Sequence, residues 1–371
     1  MDNKIRVSVI LPIYNNEKTI KTTLYSLINQ DIKKKFEIII INDGSCDNSV
    51  QIVKSIKDSR IRFFNLNKNY GPSIARNLGI KKSKGEYFFF LDADDKIRKN
   101  TLSVLLKEAY KKNYDLVFCD HKWIQNGINL SKNLFSYNNS KEIYNNDLLE
   151  ILKKRLYNSL HSGGPLRCKA KLIKSSIIKK KKILFEKKLR YLEDEIFMWD
   201  ILPEVKKIKY IKKQFYYYYV NTNTNTAVSE GISNRFNIKS FFLIKKHIKK
   251  SFLKFNINYK IAENLSDQGL VYFIINVLVS YSKSIIQKKV KKNTGIKNLK
   301  KLIKNIISYK NLFNLLKKYD VCENESKLIP KYLMLKKSML LQLACFARAK
   351  QIIDLRNKKP FLYSKNFSRK A

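Results

Sequence analysis

Three aspartates, Asp92, Asp94 and Asp95, lie within four positions directly after the apolar run Tyr87–Leu91. An apolar run of this length, preceded by glycine and followed by charge, indicates a buried strand of a parallel sheet. Ligands of open α/β sheets bind beyond the carboxyl ends of the strands, where these aspartates fall. Hard oxygen ligands so close together suit Mg²⁺ or Mn²⁺, ions that commonly bridge a protein to a diphosphate. The spacing is therefore typical of a metal–diphosphate site.

The same stretch also fits a plainer interpretation. An acidic loop after a strand can supply aspartates that cap the next helix, here before Asn100 and Thr101. Crowded carboxylates raise one another's pKa unless a cation lies among them, but that cost alone does not exclude the loop. Both interpretations stay open at this point.

Apolar runs of strand length alternate with helical patterns through the first 120 residues. Amphipathic helices are expected between these runs, and Pro72 suits the first turn of one of them. Strand–helix alternation at this spacing predicts an α/β fold with a parallel sheet and right-handed crossovers. The predicted strands are Arg6–Tyr14, Phe36–Asn42, Ile61–Leu66, Tyr87–Leu91 and Asp115–Asp120.

The length of 371 residues predicts two units, because a single core stops growing below this size. We place the boundary between residues 230 and 231, after the predicted strand Phe215–Tyr219 and the polar tract Asn221–Thr226. Beyond about Asn234 the pattern is helical, basic and amphipathic. Examples are Phe241–Phe252, Leu299–Tyr309 and Leu333–Ala347.

The cysteines and the apolar runs bear on the compartment. Five scattered cysteines, none in a CxxC pair, favour reduced thiols in a cytoplasmic setting. No signal peptide pattern opens the chain, because basic residues lead straight into a short strand. The best candidate for a membrane span, Leu270–Tyr281, has twelve largely apolar residues, fewer than a bilayer requires.

The net charge of +46 is extreme and is unevenly distributed. Residues 235–371 carry 32 Lys and Arg against 6 Asp and Glu, whereas residues 1–234 carry 44 against 24. Such a field attracts polyanions, including nucleic acid, anionic membranes and phosphorylated substrates. We favour an anionic membrane surface over nucleic acid as the partner, with a coding bias toward Lys, Ile and Asn as the open alternative.

Several motifs occur in an order that points to one family. Neither a GxxxxGK[ST] phosphate loop nor a GxGxxG motif is present, so the sheet would hold a nucleotide by other means. Five other stretches follow one another along residues 5–230. They are Val9–Asn15 (VILPIYN), Ile41–Asp47 (INDGSCD), Asn69–Asn77 (NYGPSIARN), Gly85–Asp95, and a Glu-Asp pair within Tyr191–Phe197. Each stretch is weak alone, but the ordered set resembles the inverting glycosyltransferases of family 2.

This resemblance implies a GT-A type fold, with a Rossmann-like, mostly parallel sheet flanked by helices and a basic, mostly α-helical C-terminal region. It implies a UDP-sugar donor, a glycan or lipid-linked glycan acceptor, and Mn²⁺ or Mg²⁺ as cofactor. In the family pattern, Asp43 would accept a hydrogen bond from uracil, and Arg76 would neutralise the diphosphate or contact the base. The implied nucleotide-sugar site comprises Pro12, Tyr14, Asn15, Asp43, Arg76 and Asp92, and the implied metal ligands are Asp94 and Asp95.

Each implied role has a plainer alternative. Asp43 could be a turn aspartate before Gly44, and Arg76 could be a solvated helix arginine. The aspartate that binds metal directly varies within the family pattern.

The resemblance also implies a catalytic base. Family members carry it as the aspartate of a Glu-Asp pair that opens a helix, which corresponds to Asp194. Such a carboxylate takes the proton from the acceptor hydroxyl as its oxygen attacks the anomeric carbon. The plainer alternative is an acid of the first helical turn. Glu193 and His161 are candidate acceptor-side residues, although a structural histidine is the stronger interpretation of His161.

Two features narrow the function class. The QxxRW signature of processive synthases is absent, so we expect transfer of one or a few sugars. The basic amphipathic C-terminal region favours peripheral attachment at the inner face of the cytoplasmic membrane. A non-catalytic polyanion-binding protein would explain the charge but not the ordered acids at strand ends. A nucleotidyltransferase would need a Gly-rich, basic loop after its first strand, which Leu11–Glu17 does not provide.

Overall fold

The computed structural model describes residues 4–125, 128–129, 139–157, 166–189, 191–219, 238–287, 292–321 and 325–358. The chain forms two compact units. The first comprises Met1–Asn145, Gly164–Lys187 and Glu193–Val220, and the second comprises Asn146–Gly163, Lys188–Leu192 and Asn221–Ala371. The predicted boundary between residues 230 and 231 stays a prediction. Residues 221–230 and two stretches earlier in the chain group with the second unit.

The first unit contains a ten-stranded sheet. Its strands are β1 Val7–Ile13, β2 Phe36–Asn42, β3 Ile61–Asn65, β4 Tyr87–Phe90, β5 Lys96–Ile97, β6 Leu116–Gln125, β7 Ile128–Asn129, β8 Lys141–Ile143, β9 Lys171–Lys174 and β10 Ile208–Tyr219. The sheet order is β3-β2-β1-β4-β9-β6-β10-β5, with β7 on β6 and β8 on β10. Strands β3, β2, β1 and β4 are parallel, as is the long pair β6 and β10, whereas β9 is antiparallel to both neighbours. Most paired residues thus lie between parallel strands, and the predicted α/β fold is confirmed.

Helices cover both faces of this sheet. The helices of the first unit are α1 Ile20–Ile28, α2 Ser49–Ser55, α3 Pro72–Lys82, α4 Thr101–Lys111, α6 Ser175–Lys180 and α7 Glu193–Ile201. Successive residues of a strand point to opposite faces, so Ile38 and Ile40 join one buried cluster while Ile39 and Ile41 join another. The apolar residues Leu102, Leu105, Leu106 and Ala109 of α4 are buried. Pro72 begins α3, as predicted.

The second unit is helical. Its helices are α5 Asn145–Tyr157, α8 Ile238–Lys254, α9 Tyr259–Ile286, α10 Lys292–Ile307, α11 Leu312–Lys317, α12 Leu328–Met334 and α13 Ser338–Lys358. The sequence predicted one helix over Leu333–Ala347, but the chain breaks at Lys336, whose φ of 52° is left-handed. The predicted helical C-terminal region is otherwise confirmed.

Helix α9 contains the apolar run Leu270–Tyr281 that the sequence marked as too short for a span. The helix has 28 residues, and its length and hydropathy would allow it to cross a membrane. Buried core helices have the same composition, and 78% of its apolar window is buried. One such helix is weak support for a membrane span.

Candidate active site

The three aspartates predicted from the sequence lie together at the carboxyl end of β4. One carboxylate oxygen from each of Asp92, Asp94 and Asp95 lies within 4.8 Å of the others. Asp92 and Asp94 are half-buried, and Asp95 is completely buried. A turn after a buried strand thus holds three hard oxygen ligands in one place.

Asp95 is fixed by the last residues of β10. Its carboxylate accepts hydrogen bonds from the Tyr216 hydroxyl at 2.6 Å and from the Tyr219 N–H at 3.1 Å. Burial, reinforced by the charges of Asp94 and Asp92, raises the pKa of Asp95 to about 7 despite the opposing charge of Lys169. Burial likewise raises the pKa of Asp94. These carboxyls would ionise more fully if additional positive charge were bound.

Lys169 supplies one positive charge to the cluster. Its ammonium lies 2.5 Å from Asp92 Oδ2 and 3.2 Å from Asp95 Oδ2, and 4.5 Å from the centre of the Tyr218 ring. Burial opposes its charge, but the carboxylates of Asp92 and Asp95 hold the pKa of Lys169 well above its usual value. The sequence analysis did not identify this lysine.

Arg76 supplies the second charge and joins two distant parts of the chain. The buried guanidinium donates to Asp92 Oδ1 at 3.0 Å and to Glu193 Oε1 at 2.9 Å. Burial favours neutral groups, yet Lys169 and Arg76 hold the pKa of Asp92 well below its usual value. The carboxylates around Arg76 likewise hold the pKa of the guanidinium well above its usual value, against burial. Arg76 is thus a buried bridge, not a solvated helix residue.

Asp194 lies at the start of α7, beside Glu193. Its Oδ1 accepts a hydrogen bond from the Glu195 N–H at 2.8 Å, and Arg167 lies 3.2 Å from its Oδ2. Burial raises the pKa of Asp194, but Arg167, Arg76 and Lys169 outweigh burial and hold it below its usual value. The carboxylate is therefore ionised at neutral pH and can accept a proton.

Asp43 lies at the end of β2, the second strand from β4 in the sheet. The buried carboxylate accepts hydrogen bonds from the N–H groups of Tyr70 and Gly71, both at 2.8 Å. These amides precede α3, which carries Arg76, so Asp43 also fixes the approach to that helix.

The loop after β1 lies against the loop after β2. The Asn15 N–H donates to Ser45 Oγ at 3.1 Å, and Asn15 Oδ1 accepts from the Cys46 N–H at 2.9 Å. Asn15 has a left-handed φ of 51°, Pro12 is half-buried, and Tyr14 is 40% exposed. These residues line the edge of the sheet beside Asp43.

The structure therefore brings most predicted site residues to neighbouring strand ends of one unit. Asp92, Asp94, Asp95, Arg76, Glu193 and Asp194 form one network, and Pro12, Tyr14, Asn15 and Asp43 line the adjacent strand ends. His161 and the tract Asn221–Thr226 lie outside the described residues. The individual roles of these residues stay predictions.

Lys169 and Arg167 are the site residues that sequence reasoning missed. Both precede β9, and with Lys171 they alternate in the sequence RCKAK, which would place their side chains on one face of an extended segment. This alternation of basic residues is the sequence pattern from which Arg167 and Lys169 could have been predicted.

The chemistry of the donor set fits a divalent cation. Three carboxylates with two raised pKa values are short of positive charge, and oxygen donors suit Mg²⁺ and Mn²⁺. Lys169 already contacts two of these carboxylates, so a bound cation would share them with an ammonium.

Comparison with known proteins agrees with this geometry. The sequence model of Glycosyl transferase family 2 matches residues 8–165. The chain is 30% identical over 238 residues to the poly(ribitol-phosphate) beta-N-acetylglucosaminyltransferase TarP of Staphylococcus aureus, covering 62% of this chain and 68% of that protein. It is 30% identical over 299 residues to the cholesterol galactosyltransferase of Borreliella burgdorferi, covering 73% of this chain and 80% of the relative. Two other relatives are longer than this chain, and the match covers 16% of the length of one and 32% of the length of the other.

The fold is likewise shared with a solved structure. The crystal structure of S. aureus TarS residues 1–349 in complex with UDP-GlcNAc matches with a TM-score of 0.63 at 21% identity, covering 94% of this chain and 92% of that chain. The match confirms the predicted GT-A fold.

Proposed function

The chain belongs to glycosyltransferase family 2, and from that membership we propose that it transfers a sugar from a UDP-sugar to a hydroxyl group of a polysaccharide precursor, with inversion at the anomeric carbon. One observation carries the proposal. Arg76 bridges Asp92 and Glu193, which brings the acid cluster and the candidate base Asp194 to one site although a hundred residues separate them.

The donor class is supported by the relatives. TarS was solved with UDP and with UDP-GlcNAc, and TarP and the Borreliella enzyme are named for transfer of N-acetylglucosamine and galactose. The relatives named above act on poly(ribitol-phosphate) and on cholesterol, so the acceptor differs within the family. A polysaccharide precursor is the acceptor class that we propose, since poly(ribitol-phosphate) enzymes recur among the relatives.

Asp194 would act as the general base. The acceptor oxygen forms a bond to the anomeric carbon while the bond from that carbon to the diphosphate oxygen breaks. The acceptor proton moves to the Asp194 carboxylate, and the electron pair leaves with UDP. Arg167 keeps Asp194 ionised and orients it, at the expense of some basicity.

The other charged groups would bind the donor. Arg76 is held rigidly by two carboxylates and can place one positive charge beside the diphosphate. Asp94 and Asp95 would hold Mn²⁺ or Mg²⁺, which supplies charge that stabilises the departing diphosphate when bound. Asp43, at the end of β2, would accept a hydrogen bond from the uracil.

The alternative of a non-catalytic polyanion-binding protein is less well supported. Binding of a polyanion does not require carboxylates. Four of them nevertheless lie buried or half-buried at neighbouring strand ends, namely Asp43, Asp92, Asp94 and Asp95. The basic side chains of this site, Arg76, Lys169 and Arg167, are also paired with carboxylates of the site.

The test is a donor screen. The full chain is incubated with a panel of UDP-sugars, with Mn²⁺ or with EDTA, and the released UDP is measured. We expect release with one or two donors, dependent on the metal and raised by a suitable glycan acceptor, and an inverted anomeric configuration in the product by NMR. Calorimetry with UDP and Mn²⁺ provides a second measurement, and no metal-dependent UDP affinity would contradict the enzyme.

A further inference from the structure

More than half of the exposed large aliphatic side chains in the described part of the second unit lie in one short stretch. Within residues 328–343, five such side chains are exposed by 40% to 72% of their area. They are Leu328, Leu335, Met339, Leu340 and Leu343. Among the described residues of the first unit, Leu184 is the exposed aliphatic side chain of this size. Exposed apolar side chains that cluster in this way mark interaction surfaces.

Helix geometry places three of the five side chains on one face. Met339, Leu340 and Leu343 occupy the first turns of α13 at spacings of three and four residues. The opposite face of the same turns is already buried through Leu341 and Ala344. The exposed side chains are therefore not needed for the core of the unit, and a water-facing helix surface would ordinarily be polar.

Lysines lie beside and among these aliphatic residues in the sequence. Lys327, Lys331, Lys336 and Lys337 are exposed, and residues 327–353 contain no Asp or Glu. We call the exposed aliphatic residues and these four lysines the basic apolar surface. Apolar side chains beside a concentrated positive charge are typical of helices that lie in the headgroup region of an anionic bilayer.

We propose that the basic apolar surface attaches the protein peripherally to an anionic lipid bilayer. The apolar residues enter the acyl boundary, and the lysines contact the headgroup phosphates. A second copy of the chain is a poorer occupant, because two such surfaces face to face would bring eight lysines together. Nucleic acid would use the lysines but leave the aliphatic side chains in water. This attachment is independent of the transfer reaction proposed above.

The experiment is vesicle sedimentation with the full chain. Vesicles of phosphatidylcholine alone are compared with vesicles in which about a third of the lipid is phosphatidylglycerol. We expect binding to the anionic vesicles that weakens as salt is added, and little binding to the neutral ones. The double variant Met339→Glu with Leu343→Glu should reduce binding by about tenfold or more, as should Lys331→Glu with Lys337→Glu.

A matched control separates this surface from the general charge of the chain. Tyr25→Glu with Leu184→Glu also replaces two exposed apolar side chains and changes the charge equally, but in the first unit. This variant should bind vesicles like the unchanged protein. All variants alter exposed side chains, and circular dichroism verifies that they fold.

Four outcomes would overturn the proposal. The first two are a lack of binding to anionic vesicles and equal binding to neutral ones. The third is an equal loss of binding in the control variant. The fourth is a dimer in light scattering that the Met339→Glu, Leu343→Glu variant converts to monomer, which would assign the surface to a second copy. Donor-dependent UDP release in solution, measured in parallel, distinguishes failure of this proposal from failure of the proposed reaction.

Discussion

The two ends of the central strands both bury carboxylates, but in different surroundings. At the amino end of β2, Glu37 accepts three hydrogen bonds: from Ser8 Oγ at 2.5 Å, from Arg62 Nη1 at 2.5 Å and from the Lys84 N–H at 2.7 Å. At the carboxyl end of β4, three carboxylates share two basic side chains. At the amino end one carboxylate has one cationic partner, Arg62, whereas at the carboxyl end three carboxylates share two cations.

This difference separates a stabilising role from a binding role. A buried carboxylate with all its donors present strengthens the fold, because its loss would leave those donors unpaired. Crowded carboxylates with raised pKa values destabilise the fold when they are ionised and no cation is bound. Such an arrangement is typical of functional sites. A substitution at the amino end should therefore change stability but not activity, whereas substitutions at the carboxyl end should change ligand binding or activity.

The largest effect is expected for Asp194→Asn. Loss of the base should lower the rate of sugar transfer by about 10²–10⁴-fold, because the amide cannot take the acceptor proton. UDP affinity, measured by calorimetry, should be unchanged, since the role proposed for Asp194 is to take the proton of the acceptor and not to bind UDP. Transfer at the original rate would exclude Asp194 as the base.

Lys169→Met should destabilise the protein in EDTA by about 3–5 kcal/mol, because Asp92 and Asp95 lose the ammonium between them. Mn²⁺ should restore much of that stability by ligand linkage, and the gain in Tm on adding Mn²⁺ should exceed that of the unchanged protein. Thermal unfolding with and without Mn²⁺ measures both quantities. An identical Mn²⁺ gain in the two proteins would contradict a shared cation site.

Asp94→Ala should weaken UDP binding in the presence of Mn²⁺ by about a hundredfold, because one of three hard ligands is lost. In EDTA the variant and the unchanged protein should bind UDP equally. Calorimetry in both buffers is the measurement, and unchanged affinity with Mn²⁺ would remove Asp94 from the metal site.

Glu37→Gln tests the opposite end. The substitution should lower the free energy of unfolding by about 1–3 kcal/mol, because the donors of Ser8, Arg62 and Lys84 lose a charged acceptor. Donor affinity and turnover per folded molecule should stay unchanged. Chemical denaturation and the UDP-release assay measure the two quantities. A stable variant with reduced turnover would contradict a purely stabilising role for Glu37.

The smallest effect is a pH dependence. The pKa of Asp95 is about 7 in the folded protein, above its value of roughly 4 in the unfolded chain. Its contribution to stability is therefore present at low pH and is lost as the pH rises through about 7. In EDTA, Asp95→Asn should reduce the fall in stability between acidic and alkaline pH, because the amide does not titrate. Parallel Tm profiles of the two proteins would contradict the shift.

Much of the fold followed from local pattern. Buried strands such as Phe36–Asn42 carry continuous apolar runs, and Pro72 begins a helix because proline is tolerated in the first turn. The antiparallel strand β9 could not be predicted in the same way. Its sequence, KLIK, is short and basic, and its place between β4 and β6 depends on contacts with distant residues.

The part of the site that could be predicted is the group of acidic residues at the end of a predicted strand. Asp92, Asp94 and Asp95 follow an apolar run directly, so their position could be inferred from sequence alone. Lys169 has no such marker, since its importance arises only when tertiary packing places its ammonium between two carboxylates. Cytoplasmic localisation stays a prediction, as do the inversion and the metal.

Gly44 has a consequence for engineering this protein. Its φ is +73°, and a Cβ atom there would lie 2.5 Å from the carbonyl carbon of Lys68. Any other residue would push apart the two loops through which Asp43 holds the Tyr70 and Gly71 amides. In a saturation library selected for a new donor sugar, position 44 should therefore return glycine almost exclusively, although it has no side chain to offer the nucleotide.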